Sequence, residues 1–406
     1  MSSSSKLAAL PSGFKASGVS AKIKKSGKKD LALLYSSAPC VASAMFTSNR
    51  VKAAPVIFCE KVIKSGGQVR AIIANSGNAN CMTGNKGIKD AEITAQLVAR
   101  NFGIASSEVM VSSTGIIGRL LPVEKIESAM PGLVENLSAD KFNEAAEAIL
   151  TTDTFAKVVV KKMKIAHKTI TISGMAKGAG MIAPNMKACL PAGRHATMLA
   201  YILTDACISR AGLDEAVSRS VEPSFNSITI DGCMSTNDTV IVLANGESGA
   251  RSLARPSENF NKFCCALKEV CMELAKMIVL DAEGATKFIE VLVRGAKNPD
   301  EAKALAFSVA NSNLFKCAMF GSDPNWGRIA AALGSVSSCL KWEKMGISLN
   351  NRFVFKSGKP VVLKDSGLLK AKNITVCVDL NQGRSQARVY TSDLSYDYVK
   401  INADYN

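Results

Sequence analysis

Residues Met175 to Ala206 read MAKGAGMIAPNMKACLPAGRHATMLAYILTDA, and this stretch decides how the rest of the chain is understood. A small residue, Ala196, precedes a hydroxyl residue, Thr197. Upstream lies a glycine-rich approach with one lysine (Lys177, Gly178, Gly180), and downstream an apolar run from Met198 to Leu203. This is the layout of a self-cleaving N-terminal nucleophile. A threonine in mid-chain has no base of its own. Breaking the bond before it frees an α-amine with an unperturbed pKa of about 7.7–8.0, which can act as base toward the same residue's hydroxyl. Taken alone, Ala-Thr is equally an ordinary core or loop pair, so the surroundings have to decide.

Composition narrows the chemistry. At 406 residues and 47% apolar content the chain is long enough for two or three domains with real cores. Its two histidines, His167 and His195, leave little material for a Ser-His-Asp triad or a multi-histidine metal centre. Acyl-transfer chemistry is thereby pushed toward a histidine-free nucleophile. His167, in KIAHKTITISG, reads as a hairpin residue. The 12 cysteines are scattered and form no CxxC, the usage of reduced, mostly buried thiols in a cytosol-like compartment. No apolar run approaches the roughly 18–20 residues of a membrane span, and MSSSSKLAALPSGFK lacks the apolar region of a secretory signal, so a cytoplasmic location without membrane association is expected.

The net charge of +16 suits nucleic acid, a membrane surface or anionic substrates. Aromatics are only 6%, and the densest basic run, Lys22 to Lys29, has no interleaved aromatic on which bases would stack. We read the lysines of the first 30 residues as a solvated face that steers carboxylate substrates, and expect no nucleic-acid partner.

Periodicity places the motifs. Asp90–Phe102, Ala139–Leu150, Asn259–Leu280 and Pro299–Asn311 have helical spacing, the third with apolar residues from Phe260 to Ile278 at three- and four-residue intervals. Val69–Ala74, a Val158–Ile172 pair turning near His167-Lys168, and Phe288–Val293 read as strands. Thr114-Gly115 then fall at a strand end after VMVS, and Thr151–Thr154 in a loop after a helix. Asp323, Asn325 and Arg328 in GSDPNWGR read as a structural turn.

KGAGMIAPNM (177–186) and ATMLAYILTDA (196–206) resemble the two halves of the processing-site motif of the ornithine acetyltransferases. The resemblance continues in order through Gly13–Leu33, ANSGNAN (74–80), SSTGIIG (112–118), TTDTF (151–155), SFNSITIDG (224–232), STNDTV (235–240), DAEGATKF (281–288), FGSDPNWGRIAAALG (320–334) and DLSYDYVKINADY (393–405). It implies an α+β layered sandwich with a smaller C-terminal α/β domain, divided as 1–284 and 285–406. It implies cleavage between Ala196 and Thr197 and a heterotetramer of two N-terminal and two C-terminal fragments. The implied reaction moves acetyl from N-acetylornithine to glutamate in arginine biosynthesis through an acetyl-Thr197 enzyme, with acetyl-CoA open as a second donor and no metal or organic cofactor. By the same resemblance Thr114 and Gly115 match the oxyanion pair. Thr151, Lys177, Glu283 and Asn402 match substrate contacts beside Thr197, Lys177 suited to a carboxylate and Glu283 to an ammonium.

Two departures stand out. The family runs directly from its APNM-type half into ATML, whereas KACLPAGRH (187–195) intervenes here; Pro191 and Gly193 are turn residues that let such an insert bulge. The insert also creates Ala188-Cys189, a decoy pair rejected because MLAYILTDA follows Thr197. The end, INADYN, lacks the final Thr or Ser of the family pattern and with it one expected substrate contact. Rival readings are a related self-processing aminopeptidase or amidase, an unprocessed and catalytically silent homologue, and a basic nucleic-acid binder.

Overall fold

The computed structural model describes residues 9–187, 198–233, 235–336, 340–362 and 367–404. Its contacts divide the chain into two units, Met1–Asn226 with Cys233–Ile278, and Ser227–Gly232 with Val279–Asn406. Instead of one boundary after residue 284, the division falls at 278/279 and residues 227–232 join the second unit.

The first unit contains β1 (Phe14–Val19), β2 (Leu31–Phe46), α1 (Ala54–Lys64), β3 (Val69–Asn78), α2 (Gly84–Phe102), β4 (Val109–Ile116), α3 (Val123–Glu135), α4 (Phe142–Ala148), β5 (Lys157–Ile165), β6 (Lys168–Lys177), β7 (Leu199–Thr204), α5 (Arg210–Val221), β8 (Thr239–Ala244) and most of α6 (Glu258–Leu280). Its sheet runs β4-β3-β2-β8-β7-β6-β5, with β1 paired to β2. The two-residue period of a strand sorts β2 between two cores. Leu31 and Leu33 join Ile73, Val98 and Ile126, while Ala32 and Leu34 join Ile72 and Phe142. Helix α6 buries Phe260, Phe263, Leu267, Val270, Leu274 and Ile278. It lies against Gly174 of β6, where a Cβ would come within 2.8 Å of Leu274 and 2.9 Å of Val270. Close packing thus steadies the strand that ends in Lys177.

The second unit adds β9 (Phe288–Ala296), α7 (Pro299–Ala310), α8 (Asn313–Phe320), α9 (Trp326–Gly334), β10 (Gly346–Leu349), β11 (Arg352–Lys356), β12 (Lys359–Pro360), β13 (Asn373–Asp379), β14 (Ser385–Ser392) and α10 (Tyr396–Ala403). Its mixed sheet runs β12-β11-β10-β13-β9-β14, and Val291, Leu305, Val309, Phe315 and Ile329 share its core. Asn298 caps α7 by accepting from the Glu301 amide, with Pro299 as the first helical residue. Asp323 and Asn325 form the expected turn, joined at 3.1 Å, and Arg328 donates to the Leu314 carbonyl at 2.6 Å. The fold is α+β, and no described helix is long and apolar enough to cross a membrane.

Several expectations need correction. Helix α2 begins at Gly84 rather than Asp90, because its polar first turns carry no apolar period. Helix α4 is shorter than 139–150, because Ser138 is occupied by a backbone bridge to Ala16. Five of the ten described cysteines are buried; Cys233, Cys265 and Cys317 are exposed, so "mostly buried" overstates the case. The basic segment is not wholly solvated either. Buried Asp30 accepts from the Ala21, Ile23 and Lys24 amides at 2.6, 2.7 and 2.8 Å and curls the segment inward, leaving Lys24 half-buried. His167 does sit in the β5–β6 turn, beside Ala166 at φ 52°.

Strands β3 and β4 are parallel and bring Gly77 opposite Gly115. Gly115 has φ 132°, and a Cβ there would lie 2.4 Å from the Gly77 carbonyl carbon and 2.6 Å from the Asn78 nitrogen. Gly115→Ala is therefore expected to destabilise by about 1–3 kcal/mol through overpacking. Gly132→Ala, in α3 with nothing within 4 Å, should cause no loss; urea denaturation of the two variants checks the contrast.

Candidate active site

The end of β4 is held by amides from two directions. Ser113 Oγ donates to Asn75 Oδ1 at 2.6 Å, and Asn75 Nδ2 donates to the Asn78 carbonyl at 2.8 Å. Asn237 Nδ2 donates to the carbonyls of Ala79 and Ser113, at 2.7 and 2.8 Å. Buried Thr114 and Gly115 are thus set on a fixed ledge, and the glycine lets the two backbones approach.

Onto this ledge projects Lys177, the last residue of β6. Its ammonium donates to Thr151 Oγ1 at 2.7 Å and to Thr114 Oγ1 at 3.3 Å. Because lysine is a donor only, Thr114 must accept here, and its own proton is directed elsewhere. Three residues predicted from sequence, Thr114, Thr151 and Lys177, are therefore brought together.

A residue the sequence patterns did not single out, Asp153, organises the group. Its side chain and that of Lys157 are fully buried and paired at 2.8 Å, and Lys177 Nζ lies 3.9 Å from its other oxygen. The carboxylate also accepts from the Thr151 amide at 3.0 Å and the Gly178 amide at 2.6 Å. Burial pushes the Asp153 carboxyl up, but Lys177, Lys157 and the Thr151 amide more than reverse this and hold it well below the usual carboxylate range. Burial likewise lowers the Lys24 ammonium to about 8, with Asp30 opposing and Lys177 adding to the shift. Three lysines thus share this corner with Asp153 and the Asp30 loop, a field suited to an anionic group.

Asp238, also not singled out, adjoins the start of β7. It is fully buried, and the Met198 amide donates to its Oδ1. Burial pushes this carboxyl well up, while the Met198 amide and Lys177 offset only part of the shift. Both acids had visible signals: Asp153 and Lys157 stand four apart in TTDTFAK, and Asp238 abuts the apolar run of β8.

In the second unit Asn402 Nδ2 donates to Glu283 Oε2 at 2.8 Å, which brings the other two predicted residues together. Gly284 permits it: at φ 66°, a Cβ there would come 2.5 Å from the Tyr398 nitrogen of α10. Ala196, Thr197, Cys189 and residues 188–195 of the insert lie outside the described residues.

The ArgJ family model matches residues 15–406. The chain is 47% identical over 397 residues to an arginine biosynthesis bifunctional protein ArgJ of Geobacter sulfurreducens, covering 97% of this chain and 98% of that protein. The chain belongs to the ArgJ family. It is also 43% identical over 408 residues to a glutamate N-acetyltransferase of Methanocaldococcus jannaschii, covering 97% of each. Among solved structures it is similar to an ArgJ of Bacillus halodurans, at 38% identity and TM-score 0.49 over 51% of this chain and 99% of that one. An ornithine acetyltransferase of Mycobacterium tuberculosis, solved with ornithine, matches at 39% identity and TM-score 0.39 over 45% of this chain and 97% of that one.

Asp153→Asn would leave two buried ammonium groups without their counter-ion, and breaking such a group is expected to cost about 3–5 kcal/mol. The sign with pH follows from the depressed folded pKa: the carboxylate's contribution is present above its unfolded value of about 3.9 and fades as pH falls below it. Urea denaturation should show a large gap between variant and wild type at neutral pH that narrows toward pH 3.

Proposed function

We propose that this chain is an N-acetylornithine:glutamate acetyltransferase of arginine biosynthesis that cleaves itself before Thr197 and then uses the new N-terminal threonine as nucleophile. Membership of the ArgJ family supports the pathway. The observation that carries the chemistry is the buried Lys177–Thr114–Thr151 cluster on the ledge made by Gly115.

In this reading the Thr197 hydroxyl attacks the Ala196 carbonyl, an N-to-O acyl shift gives an ester, and hydrolysis separates residues 1–196 from 197–406. We take the mature form to contain two of each fragment. The free α-amine then serves as base while Thr197 accepts acetyl from N-acetylornithine and passes it to glutamate. Thr114 and Gly115 are assigned to the oxyanion. With Lys177 donating to its oxygen, the Thr114 hydroxyl has its proton to give to a developing negative charge, a contribution of about 10²–10³ in rate for one donor. Lys177 and Thr151 are assigned to the carboxylate end of the substrate, and Glu283, steadied by Asn402, keeps the substrate-contact role that the family resemblance gives it.

One observation favours an unprocessed homologue as a second reading. Lys187 bridges Phe46, Phe46 pairs with Thr239, and Thr239 pairs with Leu199. Three strand spacings separate Lys187 from Leu199, roughly 14 Å. Without residues 187–195, Met186 would stand four residue steps from Leu199, at most about 14 Å, so an intact chain would have little slack before the scissile bond. The nine inserted residues supply that slack.

The purified wild-type chain is expected to run as two fragments, the second beginning TMLAYILTD, while Thr197→Ala stays whole. Mixing N-acetylornithine with glutamate should give parallel-line ping-pong kinetics, and intersecting lines would exclude a free acetyl-enzyme. Lys177→Met should lower kcat/KM severely without loss of fold. A chain that stays intact on long incubation would favour the second reading.

Deleting residues 187–195 removes that slack and is expected to speed cleavage, followed by electrophoresis against time. Loss of cleavage and of acetyl transfer on deletion would instead make the insert part of the machinery.

A further inference from the structure

We infer that Tyr398 and Asp231 are positioning residues whose hydrogen bond holds α10 so that Asn402 stays on Glu283, a role that rests on the proposed substrate contacts of those last two residues. Helix α10 has eight residues and buries none of them. Tyr396 and Val399 are 84% and 62% exposed, and Tyr398 is the only residue of the helix that is not exposed. A helix this short, without an apolar face packed on a core, is marginal in water. Its placement therefore depends on side-chain tethers.

The start of α10 is tied firmly. Asp393 accepts from the Thr286 and Lys287 amides, both at 2.9 Å. Ser395 donates to the Gly284 carbonyl at 2.6 Å and caps the helix by accepting from the Tyr398 amide at 3.4 Å. The rest of the helix relies on Tyr398 and Asn402, four residues apart and so on one face. The Tyr398 hydroxyl donates to Asp231 Oδ2 at 3.2 Å. Asn402 Nδ2 donates to the Tyr398 carbonyl at 3.0 Å as well as to Glu283 Oε2 at 2.8 Å. The position of Tyr398 is thus passed directly to the amide that meets Glu283.

Asp231 is itself rigidly mounted. Its segment, residues 227–232, joins the second unit, where the Thr229 amide donates to the Tyr390 carbonyl of β14 at 2.9 Å. Thr229 Oγ1 donates to Asn311 Oδ1 at 2.7 Å and accepts from the Gly232 amide at 3.2 Å. Asp231 also faces a buried cation: burial lowers the Lys316 ammonium to about 8, and Asp231 and Asp393 oppose the shift. Replacing Asp231 would disturb that buried charge, so the Tyr398 hydroxyl is the cleaner group to remove.

The test compares the full-length wild type with Tyr398→Phe, Tyr396→Phe and Asn402→Ala. Hydrogen exchange reads the opening of residues 396–404, and acetyl transfer from N-acetylornithine to glutamate reads KM and kcat separately. Tyr398→Phe keeps the ring and loses only the hydroxyl. It is expected to speed exchange in that segment and to raise KM for N-acetylornithine about 10-fold, as Asn402→Ala does, with kcat changed far less. Tyr396→Phe loses an exposed hydroxyl from the same helix and is expected to match the wild type in both readouts. Wild-type exchange or wild-type KM in Tyr398→Phe, beside a raised KM in Asn402→Ala, would overturn the inference and leave the proposed function standing. A fall in kcat at unchanged KM would overturn it too. Unchanged KM in Asn402→Ala would remove Asn402 from the substrate contacts and the inference with it. A wild type that transfers no acetyl would remove the proposed function and this inference together.

Discussion

Two buried ammonium groups share one buried carboxylate, and the candidate site is arranged around that imbalance. Asp153 satisfies Lys157 directly and Lys177 at longer range, while its oxygens also collect two backbone amides. Desolvating three charges is unfavourable unless their geometry is close and their remaining donors are met. The remaining donors of Lys177 are met by Thr114 and Thr151, so these hydroxyls complete a charge network as well as lining a site. The loop before β5, the end of β6 and the end of β4 are thereby tied together. Displacing any one of them would cost a buried charge one of its partners.

Sheet order makes the network possible. Strand β4 is at one edge of the first unit's sheet and β6 is toward the other, yet the ends of both reach the same ammonium group. Asn237, on the approach to β8, bridges the β3 and β4 ends through two carbonyls. Gly115 admits the close approach of β3 that any side chain would block, and Gly77 leaves room for Lys24, whose side chain a Cβ there would meet at 3.0 Å. The site therefore depends on residues that react with nothing: an amide at 237, two glycines and the small contact surface at Gly174 that seats α6.

Much of this was legible in sequence where a local pattern carries the signal. The apolar spacing of α6, the hairpin around His167, the strand-end position of Thr114-Gly115 and the turn at Asp323–Asn325 all depend on neighbours close in the chain. The pairing of Lys177 with Thr151 and Thr114 was legible only through the family resemblance, since these residues are far apart in sequence. Asp153 and Asp238 carry only weak local signals, for a different reason. Their properties come from burial, and an acid on a loop and an acid beside a strand look alike before the sheet is assembled. The placement of Lys24 is hidden in the same way: seven lysines around one aspartate suggest a solvated face, but that aspartate accepts three amides and draws the segment inward.

The two aspartates show how placement divides chemical roles between identical side chains. Asp153 lies where two lysines and two amides reach it, and it is held ionised; its contribution to stability is present above the unfolded value of about 3.9 and lost as pH falls. Asp238 lies where the Met198 and Ser235 amides and a more distant Lys177 oppose complete burial without overcoming it, and its carboxyl is pushed well above the usual carboxylate range. Its sign is opposite, because its contribution is present below about 3.9 and is lost as pH rises through the folded value. The two environments push identical carboxyls in opposite directions, and only Asp153 is thereby fixed as a counter-ion. Asp153, held ionised, has no proton to lend and could gain one only by loosening its hold on both lysines, whereas the opposite shift at Asp238 leaves its Met198 anchor in place.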